Sequence, residues 1–534
     1  MTLALDPLSL RLFPMWNRTI LFWIGVLASC VPGPQGQEPA PVSTEAKAAA
    51  GSARPHIVLV MADDQGWGDT SYNGHPVLET PHLDAMAKAG VVFDRFYAAA
   101  PVCSPTRASV MTGRNPNRVH VLDHGHYLRR QESTLARALK QAGYATGFFG
   151  KWHIGSAQKE SPVCPGALGF DEWLMGLNFF DQDPYLSEGG TYKRFKGQGS
   201  VIVMDHALDF IRRHAKGVQP IFTVIWFPAP HAPHREFPTT GKRYAGSPGK
   251  GSQGLGSQGK RARWGGYWDE IALVDEQVGR LRQTLRELSL QQNTLLWYCS
   301  DNGGLDASTS GGRGRKGSIY EGGLRVPALL EWPAAYGHAR IAIPATTSDI
   351  YPTLLAIARA RVDKQCPLDG IDLQPILAGK QTSRPGIGFW RGLAPGQATY
   401  SDRLIQKLMQ AQQAGKPTPL PGRLRKDIDA YPKWDRSIYP GHAAWLQWPY
   451  KLHRIQKLGK PRGKASDPAR GKGRSKTRVK WELYDLQKDP DEKDNLADTD
   501  PKRVAAMRKQ LQAWQDSVYD SLEGKDYDRL GKER

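Results

Sequence analysis

Four places in the 534-residue chain put acids, amides, lysines or histidines directly after apolar, β-branched runs. Residues 56–62 end in Asp63-Asp64, and residues 144–149 run into Gly150-Lys151-Trp152-His153. Residues 220–227 lead to Pro230-His231-Ala232-Pro233-His234, and 294–300 to Asp301-Asn302-Gly303-Gly304. One such ending is ordinary turn chemistry, because Asp and Asn favour turns. Four endings of complementary chemistry read as a single active site. Asp63, Asp64, Asp301 and Asn302 supply hard oxygen ligands without His or Cys, a set suited to Ca²⁺, or Mg²⁺, rather than Zn²⁺. Lys151, Lys316, His153 and His231 add positive charge and proton donors. A divalent ion beside cationic donors suits a tetrahedral oxyanion ester. Taken singly, each of these histidines reads as a hydrogen-bonded turn residue.

Cys103-Ser104-Pro105-Thr106-Arg107 is a C-x-P-x-R pentapeptide, continued by Ala108-Ser109 and Thr112-Gly113-Arg114. Alone, Cys103 reads as a small buried hydrophobe. The pentapeptide resembles the signature of type I sulfatases of the alkaline phosphatase/sulfatase superfamily. Its company makes the match specific: Asp63-Asp64-Gln65-Gly66-Trp67-Gly68-Asp69, Thr80-Pro81-His82-Leu83-Asp84, Gly150-Lys151-Trp152-His153-Ile154-Gly155 and Pro230-His231-Ala232-Pro233. Ser300-Asp301-Asn302-Gly303 follows, then Lys316-Gly317-Ser318-Ile319-Tyr320-Glu321-Gly322-Gly323-Leu324-Arg325, and Glu482-Leu483-Tyr484-Asp485-Leu486 near the end. The resemblance runs from about 55 to 498, and on it the chain is identified as an arylsulfatase-like member of that family.

The resemblance implies a set of roles. Cys103 would be oxidised to Cα-formylglycine (3-oxoalanine) by a formylglycine-generating enzyme. Asp63, Asp64, Asp301 and Asn302 would hold the metal, most simply Ca²⁺, with the modified Cys103 completing the shell. Arg107 and Lys151 would orient the formylglycine hydrate, and His153 would deprotonate it. His231 and Lys316 would contact the sulfate and its bridging oxygen, with Lys151 also on the sulfate. The chemical problem such a residue answers is turnover. A serine attacking sulfur would leave a stable sulfate ester, whereas an aldehyde hydrate carries a second hydroxyl whose deprotonation releases sulfate. The expected activity is hydrolysis of sulfate monoesters. Two alternatives stay open: a phosphoric or phosphonic ester hydrolase of the same superfamily, and an inactive polysaccharide-binding protein whose Cys103 is never converted.

Positioning such residues requires a sheet whose strands end at one edge. Short apolar runs alternating with helical stretches predict an α/β fold with a large central mixed, mostly parallel sheet flanked by helices. One predicted helix covers 267–288, with Ile271, Val274, Val278, Leu281 and Leu285 on one face. Residues 55–385 form the expected catalytic domain, and 386–534 a smaller C-terminal α+β subdomain with a short antiparallel sheet and a terminal helix. Residues 450–455 and 481–484 read as an antiparallel pair joined by a basic loop. Asp500-Pro501 predicts the start of the terminal helix, with Val504, Met507, Leu511, Trp514 and Val518 as its apolar stripe.

Hydrophobic residues make up 40% and Trp numbers 16, which excludes a disordered chain or a coiled coil. Five Cys at this length exclude a disulfide scaffold. Cys164, Cys299 and Cys366 have no spacing that implies metal or catalysis, and Cys299 reads as core. The net charge of +20 calls for an anionic partner. Ten Lys or Arg against Asp467 alone crowd 457–480, and 239–263 is a second Gly- and Lys/Arg-rich loop. Such runs are commonly just solvated; here they are expected to attract a sulfated glycan. No nucleic-acid motif is present, so nucleic acid is not an expected partner. Residues 19–28 form an apolar run behind Arg18 and suit a secretory signal over 1–30, with Met15 as an alternative start. Leu27-Ala28-Ser29-Cys30 resembles a lipobox, which would lipidate Cys30 and tether the exported protein to a membrane through the flexible stretch 31–54.

Overall fold

A computed structural model of the protein describes residues 54–234, 262–417, 436, 439–457 and 478–528. The expected signal segment with Cys30, the tether as far as 53, and the basic stretches 239–261 and 458–477 lie outside the described residues.

In chain order the strands are β1 (His56–Ala62), β2 (Val91–Phe93), β3 (Phe96–Tyr97), β4 (Ala145–Lys151), β5 (Glu172–Gly176), β6 (Tyr185–Glu188), β7 (Thr191–Arg194), β8 (Ile221–Trp226) and β9 (Thr294–Ser300). They continue with β10 (Arg325–Val326), β11 (Ala328–Glu331), β12 (Ala339–Ile341), β13 (Ala345–Thr346), β14 (Ile387–Arg391), β15 (His442–Gln447), β16 (Tyr450–Lys457) and β17 (Arg478–Asp485). Ten of them form the main sheet in the order β12-β2-β11-β9-β1-β8-β4-β5-β6-β7. Its centre, β9-β1-β8-β4-β5, is parallel throughout, and antiparallel strands flank it. The mixed, mostly parallel sheet expected from the alternating pattern is therefore present.

The period-two alternation of β1 explains why both faces are covered. Ile57, Leu59 and Met61 pack with Ala108, Val110 and Met111 of the helix Cys103–Thr112. Val58, Val60 and Ala62 face the other way, onto Leu83 and Met86 of the helix Pro81–Ala89. Val274, Val278 and Leu281 of the helix Ala262–Glu287 join that second layer, as their spacing predicts. Each large side chain buried in this way contributes about 1.5–3 kcal/mol. Cys299 sits in β9 as part of the core.

A separate antiparallel sheet has the order β14-β15-β16-β17. β16 and β17 form the expected antiparallel pair, with Ile455 opposite Lys480 and Leu452 opposite Leu483. The terminal helix Pro501–Leu522 starts where expected: the Asp500 side chain accepts from Arg503 N at 3.1 Å, and Pro501 needs no donor at the first position. Its Val504 and Met507 pack on Leu452 and Leu483, and Leu511 and Val518 on Trp390 and Ala443. Among the described residues no helix is long and apolar enough to cross a membrane.

Candidate active site

Because β1, β4, β8 and β9 run parallel, their carboxyl ends meet at one edge, where ligand sites of open α/β sheets lie. The four polar endings expected from the sequence converge there. Asp63 and Asp64 follow β1, Lys151 closes β4 with His153 beyond it, His231 follows β8, and Asp301 and Asn302 follow β9. Gly150 is required at the end of β4. It has φ +126°, and a Cβ there would lie 1.8 Å from Trp226 O of β8. Asp64 (φ +73°) and His153 (φ +56°) also occupy left-handed backbone, which costs about 1–3 kcal/mol per residue and is commonly retained at functional sites.

The acids and bases interlock. Lys151 Nζ lies 2.5 Å from Asp63 Oδ2, and Lys316 Nζ 2.6 Å from Asp64 Oδ2. Arg107 Nη2 donates to Asp301 Oδ2 at 2.8 Å and lies 3.5 Å from Asp63 Oδ2, while its Nη1 donates to Lys151 O at 2.8 Å. Asp64 N donates to Asp301 Oδ1 at 3.1 Å, and Asn302 Nδ2 to Asp64 Oδ1 at 2.7 Å. Burial pushes the Asp63 carboxyl up, but Lys151, His231, Arg107 and Lys316 outweigh it and hold Asp63 well below the usual range. Asp301 goes the other way: burial and the neighbouring Asp63 raise it to about 7.

Cys103 begins the helix Cys103–Thr112 and is buried. One ligand atom from each of Asp63, Asp64, Cys103 and His231 lies within 4.8 Å of the others. His231 Nε2 is 3.7 Å from Asp64 Oδ2, so it joins the acids more closely than its separate motif suggested. Both Asp301 oxygens are engaged, with Arg107 and the Asp64 amide. Burial raises the Cys103 thiol to about 12 despite Lys151 and Lys316. The encoded side chain is therefore a neutral thiol at neutral pH in the absence of a cation, and a poor nucleophile. His153 is almost wholly buried, and neither ring nitrogen has a hydrogen-bond partner. Burial, then Lys151 and Arg107, keep its pKa well below the usual value, so it is a neutral imidazole able to accept a proton.

At this edge the buried oxygens Asp63 Oδ1 and Asn302 Oδ1 also lack hydrogen bonds. A buried acceptor without a donor is costly, and an ion, a water or a substrate would satisfy it. Carboxylate and amide oxygens fit a hard divalent cation such as Ca²⁺ or Mg²⁺.

Several supporting residues escaped the sequence reading. The Tyr267 hydroxyl donates to Asp64 O at 2.8 Å and to Asp69 Oδ2 at 2.6 Å, fastening the loop after β1. Tyr267 reads in the sequence only as the start of an amphipathic helix. Arg391 Nη1, at the end of β14, donates to Gly317 O at 2.5 Å beside Lys316, and its Nη2 to Asp123 Oδ2 at 3.3 Å. Gly125 N donates to Ser104 Oγ at 2.9 Å, so the Asp123 loop borders Cys103. Phe179 packs its ring 5.4 Å from His231. Single residues in unpatterned loops carry no periodic signal, which is why they stay invisible in the sequence.

The sequence and the fold are similar to those of known proteins. The sulfatase family model matches residues 55–360. N-acetylgalactosamine-6-sulfatase of Canis lupus familiaris is 33% identical over 387 residues, covering 64% of this chain and 70% of the relative. Arylsulfatase A of Homo sapiens is 31% identical over 384 residues, covering 63% and 70%. The solved structure of BT4656 in complex with its substrate D-glucosamine-2-N,6-O-disulfate superposes with a TM-score of 0.65 at 19% identity, over 88% of this chain and 98% of that one, and shares the fold. A family match over more than half the length, on a chain that carries the pentapeptide at the convergence of four strand ends, makes this protein a type I member of the sulfatase family, a sulfuric ester hydrolase of the alkaline phosphatase/sulfatase superfamily.

Proposed function

We propose that the protein hydrolyses sulfate monoesters of a sulfated oligosaccharide or polysaccharide, using formylglycine made from Cys103 and a divalent metal, Ca²⁺ or Mg²⁺. The observation that carries this reading is the pair of buried oxygens without a hydrogen-bond partner, Asp63 Oδ1 and Asn302 Oδ1, at the edge where Asp63, Asp64, Cys103 and His231 bring ligand atoms within 4.8 Å of one another. Asp63, Asp64, Asp301 and Asn302 would hold the metal, with the converted Cys103 beside them. The metal supplies positive charge against the sulfate oxygens, and formylglycine supplies a nucleophile that can be regenerated.

The chain's own residues do the rest. Lys151, anchored on Asp63, and Arg107, anchored on Asp301, hold positive charge at the nucleophile. His153, neutral and with both nitrogens unbonded, takes a proton there. Lys316 and His231, both on Asp64, face the sulfate and the departing oxygen and stabilise the charge that develops as the ester bond breaks. Sulfated sugars are favoured as substrates by the N-acetylgalactosamine-6-sulfatase relative, by the sugar disulfate bound to the structural neighbour, and by the net charge of +20. The apolar run 19–28 supports export, with Cys30 as a lipid anchor and a formylglycine-generating enzyme acting during maturation.

The mass of tryptic peptide 96–107 tests this directly. Native protein should carry an aldehyde in place of the thiol. A peptide with an intact thiol in every molecule would defeat the hydrolase mechanism and favour the silent glycan-binding alternative. Faster turnover of aryl phosphate than of aryl sulfate would favour the phosphoric ester alternative.

A further inference from the structure

Lys316 sits on a glycine-rich turn that is tied down at two ends. Toward the sheet edge, Lys316 N donates to Gly304 O at 3.1 Å and Gly317 N to Pro101 O at 2.9 Å. At the other end the turn runs into Glu321, first residue of the short helix Glu321–Leu324. The backbone N–H of Glu321 donates to Glu492 Oε2 at 2.7 Å. Its carboxylate accepts from Lys451 Nζ at 2.8 Å and from the Tyr97 hydroxyl at 2.9 Å. Lys451 Nζ also lies 3.2 Å from Glu492 Oε1, and His453 Nε2 lies 2.7 Å from the same oxygen. Lys451 and His453 belong to β16, and Glu492 to the turn after β17. Lys451, His453 and Glu492 are 0% exposed and Glu321 is 3% exposed.

Stability alone is a weak reason to keep this cluster. Buried ion pairs gain little over well-packed apolar residues, and here one lysine faces two carboxylates. Glu492 is held at φ +53°, where glycine would sit without strain. The strain is tolerated at a glutamate with both its oxygens in use. Oε2 holds the backbone of Glu321, and Oε1 holds His453 and Lys451. The two glycines after Glu321 pack closely on the turn that carries Lys316: a Cβ on Gly322 would lie 2.4 Å from Gly314 O, and one on Gly323 2.0 Å from Ser318 O. A shift of Glu321 is therefore passed to Gly314 and Ser318, which flank Lys316 in the turn.

We propose that Glu492 and Lys451 are positioning residues for Lys316, setting through Glu321 where its ammonium meets the departing oxygen of the sulfate ester. The proposal rests on the role given to Lys316 above. A misplacement of about 1 Å at a reacting centre costs on the order of 100-fold in rate.

The test compares Glu492→Gln, Lys316→Ala and the double variant on aryl sulfates whose leaving phenols range from strongly to weakly acidic, with folding checked by circular dichroism and melting. Glu492→Gln is expected to lower kcat on the order of 10- to 100-fold for weakly acidic phenols, less for strongly acidic ones, with KM little changed. On the Lys316→Ala background it should add almost nothing. A folded Glu492→Gln variant whose loss is uniform across phenols, or is additive with Lys316→Ala, overturns the positioning role. A Lys316→Ala variant without leaving-group dependence overturns instead the role of Lys316 itself, and the two failures are read from different proteins. Lys451→Met should repeat the Glu492→Gln pattern. Should it not fold, Glu492→Asp, which keeps the charge but withdraws it by one methylene, gives the same comparison.

Discussion

At the sheet edge, Asp63 Oδ1, Asn302 Oδ1 and both His153 nitrogens are buried without hydrogen bonds. In the cluster of Glu321, Lys451, His453 and Glu492, equally buried, both oxygens of each carboxylate and the lysine ammonium are paired. Both regions bury charge at a cost of several kcal/mol per ion before pairing. The difference lies in what completes them. The second region is completed by the chain itself, whereas the first leaves these atoms without a partner from the chain. The unpaired buried atoms thus set the sheet-edge site apart from this cluster.

The sharpest way to break this contrast is Cys103→Ala. It removes the reacting atom while leaving the braced cluster untouched, so activity on an aryl sulfate should fall on the order of 10⁴-fold or more, with little change in melting temperature. Retained activity would remove Cys103 from the chemistry. Next in size is Lys451→Met, which leaves Glu321 and Glu492 buried without their cation and should cost about 3–5 kcal/mol in urea unfolding. A loss below about 1 kcal/mol would mean that the cluster is not braced by charge.

Metal addition probes the other side of the contrast. Ca²⁺ at about 100 times its Kd should stabilise chelator-treated protein by about 2.7 kcal/mol, read as a rise in melting temperature. Asp63→Asn should abolish the rise, whereas Glu492→Gln should keep it. A rise of equal size in Asp63→Asn would move the metal elsewhere.

The smallest effect concerns Glu482, which accepts from the Tyr320 and Tyr484 hydroxyls and from Lys480. Burial pushes its pKa up, but Lys480 and the two tyrosines bring it down to about 2 from an ordinary 4.5. A depressed carboxyl stabilises the fold above its unfolded pKa, and that stability is lost as the pH falls from about 4.5 toward 2. Because Lys480 stands in solvent, the contribution should be about 1–2 kcal/mol. Glu482→Gln should flatten the acid side of the stability profile by that amount, and an unchanged acid slope would show that Glu482 is not held down.

The α/β architecture, four strands with their polar endings, the terminal helix with its Asp500 cap and the β16–β17 pairing were legible from local pattern. These features arise from periodicity, turn chemistry and capping, which act over a few residues. The Cys103 pentapeptide was legible for the same reason, as were the acids and the amide that stand at the sheet edge. Tertiary structure alone decided which of these atoms meet and which remain unpaired. Alternation in β1 sends Asp63 and Asp64 to an edge, but only the parallel register of β8 and β9 brings His231 and Asp301 to them. It also joined Glu321 to Lys451 and Glu492, 130 and 171 residues apart in the chain. A charged residue in a loop looks the same in sequence whether it faces water, braces a turn or waits for a metal. Its role depends on the desolvation and partners that only the folded chain supplies.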